Sequence, residues 1–432
     1  MNDADKLLKL IDEATSPFHA VEAAKRQLQE AGFIECRLGE KWELIPGNSY
    51  YLSHHGSTLI AFHIGKEQTE KQSGLRIAAA HTDFPCLRIK ARPDMKEGAY
   101  AKINTEIYGG AILNTWLDRP LCVAGRVMLK SENVFEPKSC LLDVRRPILI
   151  IPNLAVHLNK EINKGIELNK QKDMIPIAGM LPAETGDEEQ FFLDFIAKEC
   201  GVKTEDILEY ELTVYCDEAG SYVGINRDFI SAPRLDNMTS VQACVTGLID
   251  GTREEGIDLI ALFDHEEIGS KTKQGAGSVL LPLVLEKIYM ELGFDHVGYT
   301  EAMSKGLFLS VDVGHAFHPN QKDKYDPVLT SALNSGVCIK QAAGQTYATD
   351  AEGVAIVAQL LMEEQIPYTK FANRSDGTSG STLGSIASSV LPMTTVDIGA
   401  PLLAMHSARK LMGSADQEYL TRFIRAFFTR NS

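Results

Sequence analysis

The sequence predicts an α/β domain assembled from both ends of the chain and interrupted by a strand-rich inserted domain. Three observations lead there. Strand-length apolar runs alternate with helical spacing over residues 1–89 and again over 232–432. Between them, over 90–231, the texture shifts to short apolar stretches and turns with a single helix. A chain of 432 residues also exceeds what one small core organises.

In order, Leu7, Leu8, Leu10, Ile11 and Ala14 form an apolar stripe that stops at Ser16-Pro17, and helical spacing resumes from His19 to Ala31. Ser57–Ile64 and Leu75–Ala80 read as strands, the second delivering His81-Thr82-Asp83 at its carboxyl end, where open α/β sheets place their chemistry. In the middle region Leu121–Leu129, Ile148–Ile151 and Leu212–Tyr215 are strand candidates. Phe191, Phe192, Phe195 and Ile196 mark a helix over 188–198. Beyond 232 the spacing predicts helices at Ser240–Ile249, Ser278–Leu292, Ala351–Glu363 and Ser414–Phe427, with Pro282 tolerated near a first turn. Strands are predicted at Leu259–Phe263, Leu307–Val313 and Thr395–Ile398. No repeat of solenoid period is present.

Composition narrows the function. The 43 basic and 58 acidic residues leave a net charge of −15, which repels phosphate backbones and argues against nucleic acid as a partner. Eight cysteines without a CxxC pair read as reduced thiols, and the first residues lack the basic-then-apolar pattern of a secretory leader. A cytoplasmic location is therefore expected. No apolar stretch reaches membrane-spanning length.

Chemistry concentrates at predicted strand ends. His81-Thr82-Asp83 places His81 and Asp83 on one side of an extended segment, so Asp83 can hold the imidazole. Asp264-His265-Glu266-Glu267 crowds carboxylates that a cation or a proton must reconcile. Asp312 sits in an apolar run, where an unpaired carboxylate is costly. Asp236 precedes a helix, and His406 ends an apolar approach. Each has a plain structural alternative: a turn, a solvated acidic loop, a buried Arg or Lys partner, a helix cap, a satisfied core histidine. Taken together they hold two histidines and three carboxylates as candidate ligands, plus one spare Glu. Oxygen and nitrogen donors without thiolate suit a hydrolytic zinc pair, and manganese or cobalt is chemically admissible.

The chain resembles the M18 metallo-aminopeptidases, the aspartyl aminopeptidase group. The resemblance runs over nearly the whole chain. It is carried by Ser16-Pro17-Phe18-His19-Ala20-Val21, His81-Thr82-Asp83-Phe84-Pro85-Cys86, Asp118-Arg119 and Asn153-Leu154-Ala155-Val156-His157. Further matches are Arg234-Leu235-Asp236-Asn237, Glu266-Glu267-Ile268-Gly269-Ser270, His315-Ala316-Phe317-His318-Pro319-Asn320, Thr395-Val396-Asp397-Ile398-Gly399 and Met405-His406-Ser407. It implies a zinc-aminopeptidase-like proteolytic domain with a mixed central sheet and an inserted dimerisation domain. His81, Asp236, Glu267, Asp312 and His406 would hold two divalent metal ions per chain, with Asp236 bridging; the match favours Glu267 over His265 as a ligand. Glu266 would be the general base and Asp83 the orienter of His81. His157 would be lent to a neighbouring subunit's substrate site, and Lys340 would pair with an acidic P1 side chain.

The family assembly is a tetrahedral dodecamer built from dimers, and the activity implied is removal of amino-terminal residues from peptides, with preference for Asp or Glu. A broader neutral-residue aminopeptidase and an inactive assembly protein of the same fold are the alternatives. A metallo-carboxypeptidase or deacylase would need basic residues for a substrate carboxylate, and no GxSxG elbow supports a serine hydrolase. Two departures from the family pattern stand out: Lys410 follows Arg409 where many members carry Glu, and 321–333 lacks an Asn-His-Arg-Pro run.

Overall fold

The computed structural model describes residues 1–66, 74–182, 190–377 and 380–431. Two units emerge from the contacts. One comprises Met1–Asp83, Gly220–Met405 and the chain from Lys410 onward; the other comprises Phe84–Ala219 and His406–Arg409.

The first unit is built on a mixed nine-stranded sheet. Its spatial order is Ile34–Glu35, Ser49–His54, Thr58–Ile64, Ile257–Phe263, Leu75–His81, Leu307–Val311, Thr394–Gly399, Val337–Gln341 and Tyr368–Ala372. The four strands from Ile257–Phe263 to Thr394–Gly399 run parallel, and an antiparallel partner flanks them on either side. Parallel strands with both faces covered should be apolar throughout, and Ile257–Phe263 is buried at every residue. One face packs against the helices Asp3–Glu13, Pro17–Glu30, Leu235–Ile249, Ala351–Glu363 and Asp416–Phe427, through residues such as Leu7, Val21, Val245, Val357 and Phe423. The other packs against Leu280–Glu291, His296–Lys305 and Leu383–Val390, through Leu285, Tyr299 and Leu383. A five-stranded sheet, Ser221–Val223, Phe229–Ala232, Lys410–Gly413, Pro401–Leu403 and Gly314–His315, completes this unit.

The second unit holds a six-stranded antiparallel sheet in the order Lys138–Asp143, Leu121–Leu129, Ile207–Cys216, Cys86–Glu97, Tyr100–Tyr108 and Ile177–Met180. Its own core includes Leu87, Val123, Phe192 and Val214. Residue 90 lies inside the strand Cys86–Glu97, so the fold changes units earlier than composition suggests.

Local readings and structure differ in instructive places. Ser16 caps the second helix through its side chain, with Pro17 at the first turn, so the break at Ser16-Pro17 is a start as much as a stop. The helix read over 188–198 is Phe191–Cys200; positions 188 and 189 lie outside the described residues. Ile148–Ile151 forms only isolated bridges, Leu121 with Leu149 and Ile150 with Ile177. The strand expected to run to Val313 ends at Val311, which puts Asp312 just beyond it rather than within it. Among the described residues no helix is long and apolar enough to cross a membrane.

Candidate metal centre

Three neighbouring parallel strands end level with one another. His81 is the last residue of Leu75–His81 and pairs with Phe263, so Asp264 to Glu267 follow at the same sheet edge. Leu307–Val311, on the other side of Leu75–His81, delivers Asp312. Carboxyl strand ends are where such sheets collect chemistry. Asp236 arrives from the five-stranded sheet through a turn after Ala232, with Arg234 at positive φ and a cis peptide between Asp236 and Asn237. The Asn237 side chain donates to the Val311 carbonyl at 3.1 Å, tying this turn to the Asp312 strand. Asp236 and Asn237 are themselves non-helical, so the regular helix begins only after them.

The side chains converge. His81 Nε2 lies 3.4 Å from Asp236 Oδ1, 3.5 Å from Asp312 Oδ1 and 4.0 Å from Glu266 Oε2. His81, Asp236 and Asp312 each offer a ligand atom within 4.8 Å of the others, and so do His81, Glu266 and Glu267. On the far side of the ring, Nδ1 is 3.0 Å from the main-chain carbonyl of Asp83 and 3.3 Å from its carboxylate. Nδ1 is thus held by Asp83 and Nε2 faces the cluster. The buried Asp83 does more than orient the imidazole: its two oxygens accept the backbone N–H groups of Glu266 and Glu267, each at 3.1 Å. His265, the tempting alternative ligand, is engaged elsewhere, with Nδ1 2.8 Å from Thr272 Oγ1.

The electrostatics show what the cluster needs. The Glu266 carboxyl is raised to about 8, first by burial and then by Asp312, Asp83 and Asp236, against the pull of His81. Burial, then Asp236, Glu266 and Asp83, drive Glu267 well above the ordinary carboxylate range against the pull of His81. Burial alone would favour neutral His81, but Asp236, Asp312 and Asp83 overcome it and raise its pKa well above ordinary histidine. The cluster thus draws in positive charge, with a proton on His81 supplying some. A divalent cation meets the same demand through oxygen and imidazole donors without thiolate, a donor set suited to zinc.

The comparisons agree with this chemistry. The family described as Aminopeptidase I zinc metalloprotease (M18) matches residues 10–428. The chain belongs to the M18 aminopeptidase family. A relative from Clostridium novyi, named probable M18 family aminopeptidase 2, is 43% identical over 426 residues, covering 98% of each chain. One of the same name from Ectopseudomonas mendocina is 38% identical over 424 residues, covering 98% of this chain and 97% of the relative. Among solved structures, Ape4 in its complex with Nbr1 superposes with a TM-score of 0.94 at 33% identity, covering 99% of this chain and 85% of that one. The S. cerevisiae mApe1 dodecamer superposes at 0.83 with 26% identity, covering 98% of this chain and 96% of that one. M18 members are zinc-dependent aminopeptidases, and the fold here is theirs.

The remaining expected residues are placed as follows. His406 follows the strand Pro401–Leu403 on a turn at positive φ and groups with the second unit, where Nδ1 lies 3.1 Å from the Gly110 carbonyl. His157 is exposed in the second unit, on a loop anchored where Asp118 accepts the Asn153 backbone and side-chain N–H groups at 2.8 and 2.7 Å. Lys340 lies in the interior of the sheet. Its strand is not an edge, being flanked by Thr394–Gly399 and Tyr368–Ala372, and its ammonium does not snorkel to solvent. It is 1% exposed, donates to the carbonyls of Asp312 and Val313 at 3.3 and 3.4 Å, and faces the Tyr347 ring at 5.2 Å. Burial opposes its charge; Asp312 and Asp397 more than restore it.

Two residues near the centre carried no role in the sequence reading. Gly399 leaves no room for a side chain, because a Cβ there would overlap the Asp312 carbonyl. Lys410, noticed only as a departure from the family pattern, is buried at 3% exposure, and burial lowers its pKa against the opposing pull of Asp236 and Glu267.

Proposed function

We propose that this chain removes amino-terminal residues from peptides by hydrolysis at a dinuclear centre. Its ligands would be His81, Asp236, Glu267, Asp312 and His406, with Asp236 shared and zinc preferred over manganese or cobalt. The observation that carries this reading is the approach of His81 Nε2 to Asp236 and Asp312, within 3.5 Å, beside Glu266. Bound divalent ions supply Lewis acidity, which makes water easier to deprotonate and the scissile carbonyl more electrophilic. Glu266 would take the proton of the attacking water and return it to the leaving amine. The surplus of carboxylates favours a substrate with a free α-amino group over one presenting a carboxylate. The test is E266Q with metal content measured in parallel. Turnover should fall by roughly 10²–10⁴-fold with metal retained, whereas full turnover at unchanged occupancy would require another base. Amino-blocked peptides should resist cleavage and carboxy-blocked ones should not.

The preference for Asp or Glu at P1 is part of this proposal and rests on Lys340. A specific observation favours the broader, neutral-residue reading: the Lys340 ammonium already serves the Asp312 and Val313 carbonyls. A panel of amino-terminal residues assayed on metal-loaded enzyme separates the two.

We also propose a homo-oligomer, a tetrahedral dodecamer of dimers, assembled through the inserted domain expected at 90–231 and sharing His157 between subunits. Leu154, Val156 and Leu158, exposed at 53%, 53% and 75% around His157, support an interface there, as does the dodecamer of the S. cerevisiae relative. Light scattering should give a mass near twelve chains of 47.5 kDa; a fully active monomer would refute it. Eight free cysteines accord with a cytoplasmic location, which cell fractionation would test.

A further inference from the structure

A left-handed backbone is uncommon for a residue with a side chain and persists where its surroundings hold it. His406 has a φ of 64° and Ala404 one of 56°, within the turn from Pro401–Leu403 to Lys410–Gly413. His406–Arg409 groups with the second unit, and partners from that unit hold it. The His406 carbonyl accepts the Ile112 N–H at 3.0 Å, and its Nδ1 lies 3.1 Å from the Gly110 carbonyl. A carbonyl can only accept, so Nδ1 carries the proton and the neutral ring keeps its lone pair on Nε2. Gly110 permits this approach, since a Cβ there would lie 3.0 Å from Nδ1. Two residues on, the Ala408 N–H donates to Thr115 Oγ1 at 2.9 Å, and that hydroxyl donates to the Ile112 carbonyl at 2.6 Å. Arg409 donates to Glu218 Oε2 at 3.3 Å and to the Ala219 carbonyl at 3.0 Å. Glu218 Oε1 accepts from Arg119 at 2.6 Å, and Arg119 Nε donates to the Thr115 carbonyl at 2.6 Å. These bonds close a ring through 406–409, 110–119 and 218–219.

We propose that Gly110, Thr115 and the Glu218 clasp of Arg119 and Arg409 are positioning residues that aim His406 at the divalent ion it would hold. The inference rests on the reading of His406 as a ligand and deepens it. Ligand imidazoles are commonly fixed through their other ring nitrogen by a carbonyl or carboxylate, which sets tautomer and direction together. For His406 that partner is the Gly110 carbonyl, so the direction of Nε2 depends on where the 110–119 segment sits. Thr115 and Arg119 secure that segment: one binds the 406–409 turn directly, and the other does so through Glu218 and Arg409. His81, by contrast, is oriented by Asp83 within its own unit. The two ion positions should therefore differ, with only the one that uses His406 depending on the second unit. Arg119, part of the Asp118-Arg119 match, gains a role that its place in the sequence did not suggest.

The experiment compares wild type, H406A, G110A, T115V, T115S and E218Q in two readouts that need no peptidase activity. The first is titration with zinc against a chromophoric chelator, which resolves two affinities. The second is the visible absorption of cobalt-loaded protein, which reports ligand geometry. H406A identifies the affinity that uses His406. G110A, T115V and E218Q should weaken that affinity about 10–100-fold, the usual scale for residues supporting ligands, and leave the other within about twofold. Their cobalt bands should shift. T115S keeps the hydroxyl and should stay within about threefold of wild type. Lower melting temperatures with unchanged affinities and cobalt spectra would reduce these residues to a structural role and overturn the proposal. If E218Q does not fold, G110A and T115V decide it in the same titration. H406A that binds both ions like wild type would refute the ligand reading itself, whereas a weakened H406A beside unaffected G110A and T115V would refute only the positioning.

Discussion

Replacing Asp83 with Asn tests how the centre is held together. The Asp83 carboxylate receives two main-chain N–H groups, those of Glu266 and Glu267, each at 3.1 Å. Asn keeps the shape but has one oxygen, so one N–H would face an amide that can only donate. Hydrogen bonds to a charged group contribute about 1.5–3 kcal/mol, and an unsatisfied buried donor costs about 1–3 kcal/mol. Losing one such bond and weakening the other places the loss at roughly 3 kcal/mol in metal-loaded protein. In metal-free protein the loss should be smaller, because Asp83 also raises the Glu266 and Glu267 carboxyls by like-charge repulsion, and D83N relieves that. His81 should keep its orientation, since its Nδ1 is nearer the Asp83 main-chain carbonyl, 3.0 Å, than the carboxylate, 3.3 Å. D83N should therefore bind zinc about 10–100-fold more weakly, the usual scale for residues supporting ligands, without abolishing binding. The assay is chelator-competition titration together with melting curves, with and without metal. Wild-type affinity and an unchanged melting temperature in metal-loaded D83N would show that the Glu266–Glu267 turn does not depend on Asp83.

Three further outcomes are expected. G399A should destabilise the fold by about 3 kcal/mol, the upper range for overpacking, and reduce metal content, because the new methyl must displace the Asp312 backbone; thermal melting and elemental analysis check both. Asp416 is raised by burial from 3.8 to about 7, against the backbone N–H groups of Asn334 and Gly336 that lower it. Its folded form thus binds a proton more tightly than the unfolded chain. Its contribution to stability is greatest below about pH 4 and is lost as pH rises to about 7, so the gap between wild type and D416N in denaturant melts should narrow over that window; a constant gap would refute the assignment. K340M should lower kcat/KM for an amino-terminal Asp substrate far more than for Leu if Lys340 meets the substrate, and by the same factor for both if it acts only by holding the Asp312 and Val313 carbonyls.

The legible part of this centre was the part whose chemistry is local in sequence. His81, Glu266 and Asp312 each follow an apolar strand, and strand-length hydrophobicity ending in an ionisable residue is readable without a fold. What supports them was not readable, because it is contributed by elements distant in the chain. Gly399 matters only because its strand lies beside Leu307–Val311. Asp83 could be paired with His81 by spacing, yet its carboxylate serves a turn more than 180 residues later. Lys340 is interior only because its strand is paired on both sides, by Thr394–Gly399 and Tyr368–Ala372. The middle of the chain shows the same limit: the composition change near 90 reflects exposure, while the long strand Cys86–Glu97 follows pairing.

The distribution of charge explains why this support is needed. His81, Asp83, Asp236, Glu266, Glu267 and Asp312 bring five carboxylates around one imidazole in a largely buried site. A cluster of that sign drifts apart unless its backbone is tied or its charge is met. Both devices are present, and they act at different places. Asp83 and Asn237 tie the turns through main-chain hydrogen bonds, at the Glu266–Glu267 and Asp236 ends respectively. Lys340 holds the Asp312 end from beneath by donating to two carbonyls, so its positive charge and its hydrogen bonds serve the same strand terminus. Metal-free protein should therefore retain its backbone at the centre and lose mainly side-chain order. Amide hydrogen exchange should then show Glu266 and Glu267, whose N–H groups Asp83 accepts, similarly protected with and without zinc. Faster exchange confined to those amides on metal removal would mean that the ion, rather than these ties, holds the centre in shape.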